Sequence, residues 1–253
     1  MKIINWNISY IGDIKLKIEF INSFLSDSFC AILQEVKPNS YNAIKEILHN
    51  KANFIYSLDY RQPSKFDSQA RKLGVLILTS KNIKILDSGV VTRNIFPDRT
   101  AFATLQYNSK IYKVLGVHSI TGCSYHKAKS IQYDCLAEFI DSYKPDIIGI
   151  DANEPEIDSV EISKMRFFNN GNGASSFFNT IQSINLIDSY VNFHNLQDNN
   201  CIPKSHFIKQ KGAVRYDFIF LNNNYKIQDC LYLYDEAINA GSDHALIYSK
   251  IEC

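Results

Sequence analysis

The sequence predicts an α/β protein in which two mixed β-sheets pack face to face with helices on the outside. Eleven runs have strand character, because they are rich in Ile, Val, Phe and Tyr and end at Gly, Asn, Asp or Pro. Three segments have the apolar spacing of amphipathic helices. The chain order is strand, helix, strand, helix, a series of strands, a helix, and strands to the end. This mixture fits neither a doubly wound parallel sheet nor an all-β barrel.

The elements follow from the residue pattern in chain order. The predicted strands are residues 2–8, 30–36, 53–60, 74–80, 83–91, 101–107, 111–119, 146–151, 216–221, 229–235 and 244–251. The predicted helices are residues 14–27, 40–50 and 127–143. The segment 167–178 is the most loop-like, although its Phe177 and Phe178 are expected in the core. This segment is too short to separate domains, so we expect a single domain over residues 1–253.

Composition and charge exclude several classes of protein. Of the 253 residues, 45% are hydrophobic and 21% are charged, which are ordinary globular proportions. The net charge is +1, so any nucleic-acid contact must rest on local basic residues. We expect no signal peptide and no membrane span, because no apolar run approaches the ~18 residues that a spanning helix needs.

The cysteines indicate a reduced setting. There are six, with no C-x-x-C pair, so a cysteine-bound zinc is not expected. Cys30, Cys135 and Cys230 lie in or beside apolar runs and are expected to act as small core residues. A cytoplasmic location is the simplest interpretation.

Polar side chains stand at the ends of six predicted strands. They are Asn7, Gln34, Glu35, His118, Asp151, Asn153, Asp217, Asp243 and His244. Each has an ordinary explanation when taken alone: an amide can satisfy the backbone, a carboxylate can neutralise a lysine or Arg215, and Asp or Asn can form a turn. The alternative is that all of them serve chemistry at one edge of the sheets.

In these segments the sequence resembles the endonuclease/exonuclease/phosphatase superfamily. The matching segments are NWNI (5–8), LQEV (33–36), GVLILTS (74–80), VHS (117–119), GIDAN (149–153), RYDFIF (215–220) and SDH (242–244). They occur in the family's order over nearly the whole chain. The resemblance implies a four-layer α/β sandwich with the site at one end of the two packed sheets. It also implies metal-dependent hydrolysis of phosphate esters, with Mg²⁺ as the cofactor and Mn²⁺ as a substitute.

The resemblance implies a set of metal ligands. Glu35 as a carboxylate and Asn7 as a neutral oxygen ligand suit Mg²⁺, which takes oxygen ligands and few protein carboxylates. In the family, the position of Asp243 assists the metal or a second histidine.

The resemblance also implies a set of catalytic residues. Asp151 would orient or deprotonate the attacking water, while the Asn153 amide donates to a phosphoryl oxygen. An extended backbone would project both side chains to the same side. His244 would contact the phosphate or position the water. Asp217 is its expected partner, because Asp243 is adjacent in sequence and points away.

His118 is then expected to pair with Asp243 and to protonate the leaving group. In abasic-site endonucleases of the family the matching position is a tyrosine. Those enzymes also tend to have Thr-Trp where this chain has Ser205-His206. Both departures argue against such a repair enzyme.

The sequence favours a nucleic-acid substrate, DNA first. Residues 110–133 carry four lysines and two histidines with no acid, and residues 202–216 carry three lysines, Arg215 and His206 with no acid. Residues 61–72 add four basic residues against one Asp. These segments can hold a phosphate backbone, and they can equally be solvated loops. Arg99 resembles the family's substrate-facing arginine, and Arg215 is a second candidate substrate contact.

Two alternatives remain open. One is a phosphodiesterase for a substrate without nucleic acid or for a protein-linked phosphate, as in sphingomyelinases or tyrosyl-DNA phosphodiesterases. The other is an inactive binding protein on the same scaffold, which should have lost at least one of the polar residues. No obligate protein partner is evident from the sequence.

Overall fold

The computed structural model of the protein describes residues 1–62, 72–121, 126–171 and 173–252. The strands in these residues are β1 (Lys2–Asn7), β2 (Phe29–Val36), β3 (Ala52–Tyr56), β4 (Gly74–Ser80), β5 (Lys84–Gly89), β6 (Thr100–Tyr107), β7 (Lys110–His118), β8 (Ile147–Asp151), β9 (Leu186–Asp188), β10 (His206–Ile208), β11 (Gly212–Val214), β12 (Asp217–Asn222), β13 (Ile227–Leu233) and β14 (Leu246–Ile251). The helices are α1 (Ile14–Asn22), α2 (Pro38–Leu48), α3 (Ser57–Tyr60), α4 (His126–Tyr143), α5 (Ala174–Ser183), α6 (Ser189–Phe193) and α7 (Tyr234–Asn239).

Two six-stranded mixed sheets and a short hairpin form the framework. The first sheet has the order β13-β14-β1-β2-β4-β3, and the second has the order β5-β6-β7-β8-β12-β9. In each sheet one central pair is parallel, β1 with β2 and β7 with β8, and the other pairs are antiparallel. Strands β10 and β11 form the separate hairpin.

Three hydrophobic cores arrange these elements in four layers. One core lies between the first sheet and α1, α2 and α7. A second joins the facing sides of the two sheets, and a third lies between the second sheet and α4 and α5. The expected α/β sandwich of two packed mixed sheets flanked by helices is therefore confirmed.

Glycine allows the two sheets to approach closely. A Cβ at Gly149 in β8 would lie 2.6 Å from Cδ1 of Ile32 in β2, and one at Gly116 in β7 would lie 2.7 Å from Cγ2 of the same residue. Real Cβ atoms do not approach other atoms so closely, so a larger residue at either position would push the sheets apart.

A short chain of buried amides crosses between the sheets beside these glycines. The Gln34 side chain donates to Oδ1 of Asn5 at 2.6 Å, and the Asn5 side chain donates to the carbonyl of Ile150 in the other sheet at 3.1 Å. Gln34 and Asn5 are fully buried, so these hydrogen bonds replace those that water would make.

Most predicted elements are present, with shifts at their ends. The predicted strand 53–60 ends at Tyr56, and its remainder forms the short helix α3. The prediction of a loop over 167–178 is wrong for its last five residues, because α5 begins at Ala174. Its apolar residues pack on the second sheet, and Phe177 and Phe178 are fully buried as expected. The short strands β9 to β11 were not predicted.

The described cysteines are free thiols: Cys30, Cys135, Cys201 and Cys230. Cys30 and Cys230 are buried as predicted, whereas Cys135 is partly exposed. Among the helices of the described residues, none combines the length and the apolar character that crossing a membrane requires.

Candidate active site

Side-chain alternation in the strands brings several predicted residues into the gap between the sheets. In β1, Ile3 and Asn5 are buried on the inner face, and Asn7 continues that face at the end of the strand. In β8, Ile147 packs between the sheets, and Asp151 lies four residues further on the same side. The last inward-facing residue of each strand is thus polar.

The neighbouring strands β7 and β12 reach the same gap, β7 with its last residue and β12 with its first. His118 and Asp217 are register partners of Asp151, His118 in the parallel pair and Asp217 in the antiparallel pair. All three side chains therefore lie on one face of the second sheet at one end. The solvent-accessible fraction of each residue is 4% or less, so they form a desolvated cluster.

Glu35 reaches this cluster through an irregularity in β2. Strict alternation would turn Glu35 toward the helices, since Leu33 packs in that outer core. The pairing with β4 shifts between Leu33 and Val36, and Glu35 has a φ of 59°. A β-bulge of this kind redirects a side chain. Oε1 of Glu35 accordingly lies 3.6 Å from Nε2 of His118, and the side chain is 18% exposed.

Asp151 is the central carboxyl group of the cluster. The amide of Asn7 donates to its Oδ2 at 2.8 Å, and the backbone N–H of Asn153 donates to its Oδ1 at 3.1 Å. Burial, followed by the nearby charge of Asp217, raises the pKa of Asp151 to about 7. The carboxylate is therefore a base whose pKa lies close to neutral pH.

His244 and Asp217 form the expected pair. Nδ1 of His244 donates to Oδ2 of Asp217 at 2.8 Å, and both groups are buried. Burial disfavours the charged ring, but the carboxylates of Asp217 and Asp151 outweigh it and raise the pKa of His244 to about 10. His244 is thus an imidazolium at neutral pH, with Nε2–H available as a donor.

His118 is held as a neutral ring with a defined tautomer. Nη1 of Arg99 contacts Nδ1 of His118. Since a guanidinium only donates, Nδ1 accepts and the ring proton is on Nε2. Burial and the positive charge of Arg99 lower the pKa of His118 well below its ordinary value. Its Nε2 lies 3.6 Å from both Glu35 and Asp151.

The predicted pairing of His118 with Asp243 is therefore corrected. The described contacts of the His118 ring run to Arg99, Glu35 and Asp151. The carbonyl of Asp243 instead accepts from His206 at 2.9 Å. Arg99 does lie in the cluster, although it is buried against His118.

Asn153 lies beside the cluster in a different backbone conformation from the predicted one. Strand β8 ends at Asp151, and Asn153 has a φ of 48° rather than an extended value. Its side-chain amide donates to the carbonyl of Ser119 at 2.9 Å. The backbone N–H of Asn153 donates to the carboxylate of Asp151. Residues 151–153 therefore form a turn and also orient the candidate catalytic carboxylate.

Arg215 is not brought to the cluster. Its guanidinium is fully buried and forms ion pairs at 2.7 Å with both Asp158 and Asp188. The idea that Asp217 neutralises Arg215 does not hold either, because Asp217 pairs with His244. Since internal carboxylates occupy Arg215, its prediction as a substrate contact does not fit the structure.

The basic segments divide into near and distant groups. Lys110 begins β7, which ends at His118, so Lys110 lies about 26 Å from the cluster along the strand. Lys129 is buried and pairs with Glu154 at 2.8 Å. In contrast, the β10–β11 hairpin forms a bridge with His244 through His206, which brings Lys209 and Lys211 to this end of the protein. Of the basic segment 61–72, positions 63–71 lie outside the described residues.

The predicted metal ligands form a set of oxygen donors. Oδ1 of Asn7 is oriented by the N–H of Ser9 at 2.9 Å, and Oε2 of Glu35 accepts from the N–H of Tyr10 at 3.0 Å. Burial lowers the pKa of Lys17, whereas the carboxylates of Asp243 and Glu35 raise it. The two carboxylates therefore both lie near the ammonium group of Lys17. Oxygen donors that solvent can reach, at Glu35 and the exposed Asp243, fit Mg²⁺ or Mn²⁺.

Two serine hydroxyls that were not predicted hold the site together. Oγ of Ser205 accepts the N–H groups of both Tyr216 and Asp217 at 2.8 and 3.1 Å. Oγ of Ser242 donates to the carbonyl of Asn7 at 2.6 Å and accepts the N–H of His244 at 3.1 Å. The sequence did offer a signal for Ser242. It lies two residues before a candidate catalytic histidine, and Ser side chains commonly form hydrogen bonds with nearby backbone groups.

Comparison with known proteins identifies the fold. No family model and no curated protein sequence matches the chain. Among solved structures, D. rerio TDP2 complexed with single strand DNA product has a TM-score of 0.69 and 14% identity, covering 100% of this chain and 99% of that chain. The human Nocturnin catalytic domain with bound sulfate anion has a TM-score of 0.69 and 16% identity, covering 100% and 93%.

A bacterial structure matches over both full lengths. The endonuclease/exonuclease/phosphatase family protein from Leptotrichia buccalis has a TM-score of 0.65 and 18% identity, with 100% of each chain covered. At such low identity these matches report the fold. The chain therefore has the fold of the endonuclease/exonuclease/phosphatase family, as its sequence motifs predicted.

Proposed function

We propose that the protein is a Mg²⁺-dependent phosphodiester hydrolase, with Mn²⁺ as a substitute, that cleaves nucleic acid. The observation that carries the proposal is that a proton acceptor, Asp151, and a proton donor, His244, lie together in the buried gap between the sheets. Asp151 has a pKa of about 7, and His244 has a pKa of about 10. Two groups whose environments separate their pKa values in this way suit a base and an acid at neutral pH.

The proposed chemistry assigns one task to each side chain. Asn7, Glu35 and Asp243 would hold a divalent cation, which supplies charge neutralisation at the phosphate when bound. Oδ2 of Asp151 takes a proton from water, and Asn7 fixes the orientation of that carboxylate. His244 donates from Nε2 to a phosphoryl oxygen while Asp217 fixes the ring through Nδ1. The neutral His118 offers Nε2–H to a second oxygen, and Asn153 lies at the edge.

A nucleic-acid substrate is supported by two observations. The D. rerio TDP2 structure, which shares this fold, contains a single strand DNA product. The hairpin beside His244 carries Lys209 and Lys211 in a stretch without acidic residues. Since the net charge of the chain is only +1, such local basic residues are the available contacts for a polyanion.

A substrate panel tests the proposal. Purified protein with Mg²⁺ is incubated with supercoiled, linear and single-stranded DNA, RNA, 5′-tyrosyl DNA, sphingomyelin and a chromogenic bis-ester. We expect cleavage of nucleic acid that EDTA abolishes. Asp151→Asn should lose the activity. Asp146→Asn is the matched control, because Asp146 is a partly buried carboxyl group whose pKa burial also raises, and it lies just before β8, at the opposite end from Asp151.

The other outcomes separate the alternatives. Cleavage of sphingomyelin alone would contradict a nucleic-acid substrate and leave the hydrolase assignment in place. Cleavage of 5′-tyrosyl DNA without internal cleavage would indicate a phosphodiesterase for protein-linked ends. If no ester, including the chromogenic one, is cleaved with Mg²⁺ or Mn²⁺, the protein is a binding protein on this scaffold.

A further inference from the structure

The side chain of Gln132 in α4 lies against the chain where it leaves β7. The residue is fully buried. Its Nε2 donates to the carbonyl of His118 at 3.2 Å, and its Oε1 accepts the N–H of Ile120 at 2.9 Å. A primary amide carries a donor and an acceptor, as a peptide group does. The Gln132 side chain therefore pairs with residues 118–120 as a further strand would.

This pairing replaces a strand that does not reach so far. On the side away from β8, the neighbour of β7 is β6, which begins at Thr100, the register partner of Val117. Residues 118–120 therefore extend beyond β6. Backbone groups alternate between the two edges of a strand, so the carbonyl of His118 and the N–H of Ile120 lie on this side. Both residues are buried, and Gln132 supplies the hydrogen bonds that β6 does not.

The opposite edge of the same segment faces the end of β8 and orients Asn153. The N–H of Ser119 donates to the carbonyl of Asp151 at 2.8 Å. The carbonyl of Ser119 accepts from Nδ2 of Asn153 at 2.9 Å. An amide nitrogen carries two N–H donors, so Ser119 engages one of them and thereby sets the direction of the second.

Two further side chains of α4 hold the backbone from which this amide extends. Nζ of Lys129 donates to the carbonyl of Asn153 at 2.6 Å. The hydroxyl of Tyr133 donates to the carbonyl of Ala152. Both side chains share a helix face with Gln132, because the three positions lie within one turn. One face of α4 thus holds the backbone of Asn153 and also the segment that contains the acceptor of its side chain.

We propose that Gln132 is a positioning residue for phosphodiester hydrolysis, which acts through Ser119 to direct the second N–H of Asn153 toward a phosphoryl oxygen. The inference rests on the proposed function, which supplies the phosphate. The hydrogen bonds of the Gln132 side chain run to backbone groups, so its task is to set geometry. A donor that strengthens its contact in the transition state affects kcat when it is displaced and leaves KM little changed.

Two matched variants test the proposal. Gln132→Met keeps the length of the side chain and fills the same space, but it removes both hydrogen bonds. Asn53→Leu is the control, because the partly buried Asn53 amide also donates to backbone carbonyls, those of Ser80 and Ile83 at 3.3 and 3.1 Å. Asn53 lies at the end of the first sheet that is opposite to Glu35. A general loss of stability would affect both variants, so rates are compared per folded molecule.

The first measurement does not depend on activity. The side-chain ¹⁵N–H signals of Asn153 are recorded by NMR without substrate in the wild type and both variants. We expect these signals to shift in Gln132→Met, because the acceptor at Ser119 moves, and to stay at their wild-type positions in Asn53→Leu. If no ester is cleaved, the proposed function fails, and this measurement still decides whether Gln132 orients Asn153.

The second measurement is the kinetics of bis-ester hydrolysis with Mg²⁺. We expect kcat of Gln132→Met to fall by about ten- to hundredfold, the loss that a misplacement of about 1 Å produces, while KM changes little. Asn53→Leu should keep the wild-type kcat. If Gln132 acts through Asn153, adding Gln132→Met to Asn153→Ala should lower kcat no further.

Three results would overturn the proposal. The first is unchanged Asn153 amide signals in Gln132→Met. The second is a pair of effects on kcat that multiply in the double variant, which would show that Gln132 acts elsewhere, for example on His118, whose carbonyl it holds. The third is rapid hydrogen exchange of the Ile120 N–H in the wild type, because a held segment protects that amide. This last measurement needs no variant, so it decides the matter even if Gln132→Met does not fold.

Discussion

Replacing Asp217 by Asn removes the charge that keeps His244 protonated. The substitution preserves the size of the side chain and an oxygen that can accept from Nδ1 of His244. The pKa of His244 is about 10 in the folded protein against an ordinary value of 6.5, and the carboxylate of Asp217 raises it most. We therefore expect Asp217→Asn to lower this pKa strongly. The pKa of Asp151 should also fall, because the charge of Asp217 helps to raise it.

The size of the shift follows from the geometry of the pair. Nδ1 and Oδ2 are 2.8 Å apart. The charge centres are about 4 Å apart, and at an effective dielectric constant of about 20 their attraction is about 4 kcal/mol. This energy corresponds to about three pKa units. The variant His244 should therefore titrate near pH 7, where the wild-type ring is still fully protonated.

The same shift predicts how stability depends on pH. Because the folded pKa of His244 is raised, its contribution to the free energy of unfolding is fully present below about pH 6.5 and is lost as the pH rises through about 10. In Asp217→Asn most of this contribution should be absent, so between pH 7 and 9 the variant should be less stable than the wild type.

The assay is an NMR titration of the imidazole ¹⁵N signals, followed by urea denaturation at several pH values. Asp158→Asn is the control, since Asp158 is also a largely buried carboxylate in an ion pair, while the carboxylates that chiefly raise the pKa of His244 are Asp217, Asp151 and Asp243. A His244 ring that stays protonated above pH 9 in Asp217→Asn would refute the reasoning. It would show that Asp151 or solvent, rather than Asp217, determines the charge of this histidine.

Three further outcomes are expected. Arg215→Met should lower the free energy of unfolding by about 3–5 kcal/mol in urea titrations, because it leaves the carboxylates of Asp158 and Asp188 without their cationic partner. The rate per folded molecule should stay within a factor of about two. Gly149→Ala should destabilise the protein by about 1–3 kcal/mol, since its Cβ would lie 2.6 Å from Ile32, and thermal melting should show partial recovery on adding Ile32→Val. Asn7→Leu should raise the pKa of Asp151 above about 7 in the metal-free protein, because the Asn7 hydrogen bond lowers it, and a ¹³C NMR titration of the Asp151 carboxyl group should show this.

Strand periodicity explains why so much of the site was predictable. Asn7, His118, Asp151 and Asp217 each end or begin an apolar strand, and each continues the alternation that buries its neighbours between the sheets. Local pattern therefore fixed the face on which each residue lies. The family resemblance added which strands are neighbours, which periodicity alone does not provide.

The position of Glu35 depends on an irregularity that no pattern reveals. Alternation from Leu33 would direct Glu35 to the outer core, and only the register shift and positive φ bring it to the site. Asn153 was misjudged for a related reason, because a positive φ was not expected two residues after a strand. Such backbone conformations are selected by the surrounding fold, so the local sequence indicates them weakly.

Arg215 shows the limit of reading charge from sequence. Its neighbours in the chain are basic, which suggested a surface that contacts phosphate. Its partners, Asp158 and Asp188, are 57 and 27 residues away, so the ion pairs exist only in the folded chain. Long-range pairing of this kind requires knowledge of the topology.

The crossing amide of Asn5 has a consequence for mutational tolerance. The side chains of the candidate active site come from both sheets. Apolar contacts have no preferred direction, so the facing sides of the two sheets could slide past each other if such contacts alone held them. The hydrogen bond from Asn5 to the carbonyl of Ile150 joins the sheets one residue before Asp151. A disturbance on the outer side of either sheet should therefore displace both halves of the site together. Activity should survive repacking of the outer helices far better than a single change at this inner amide.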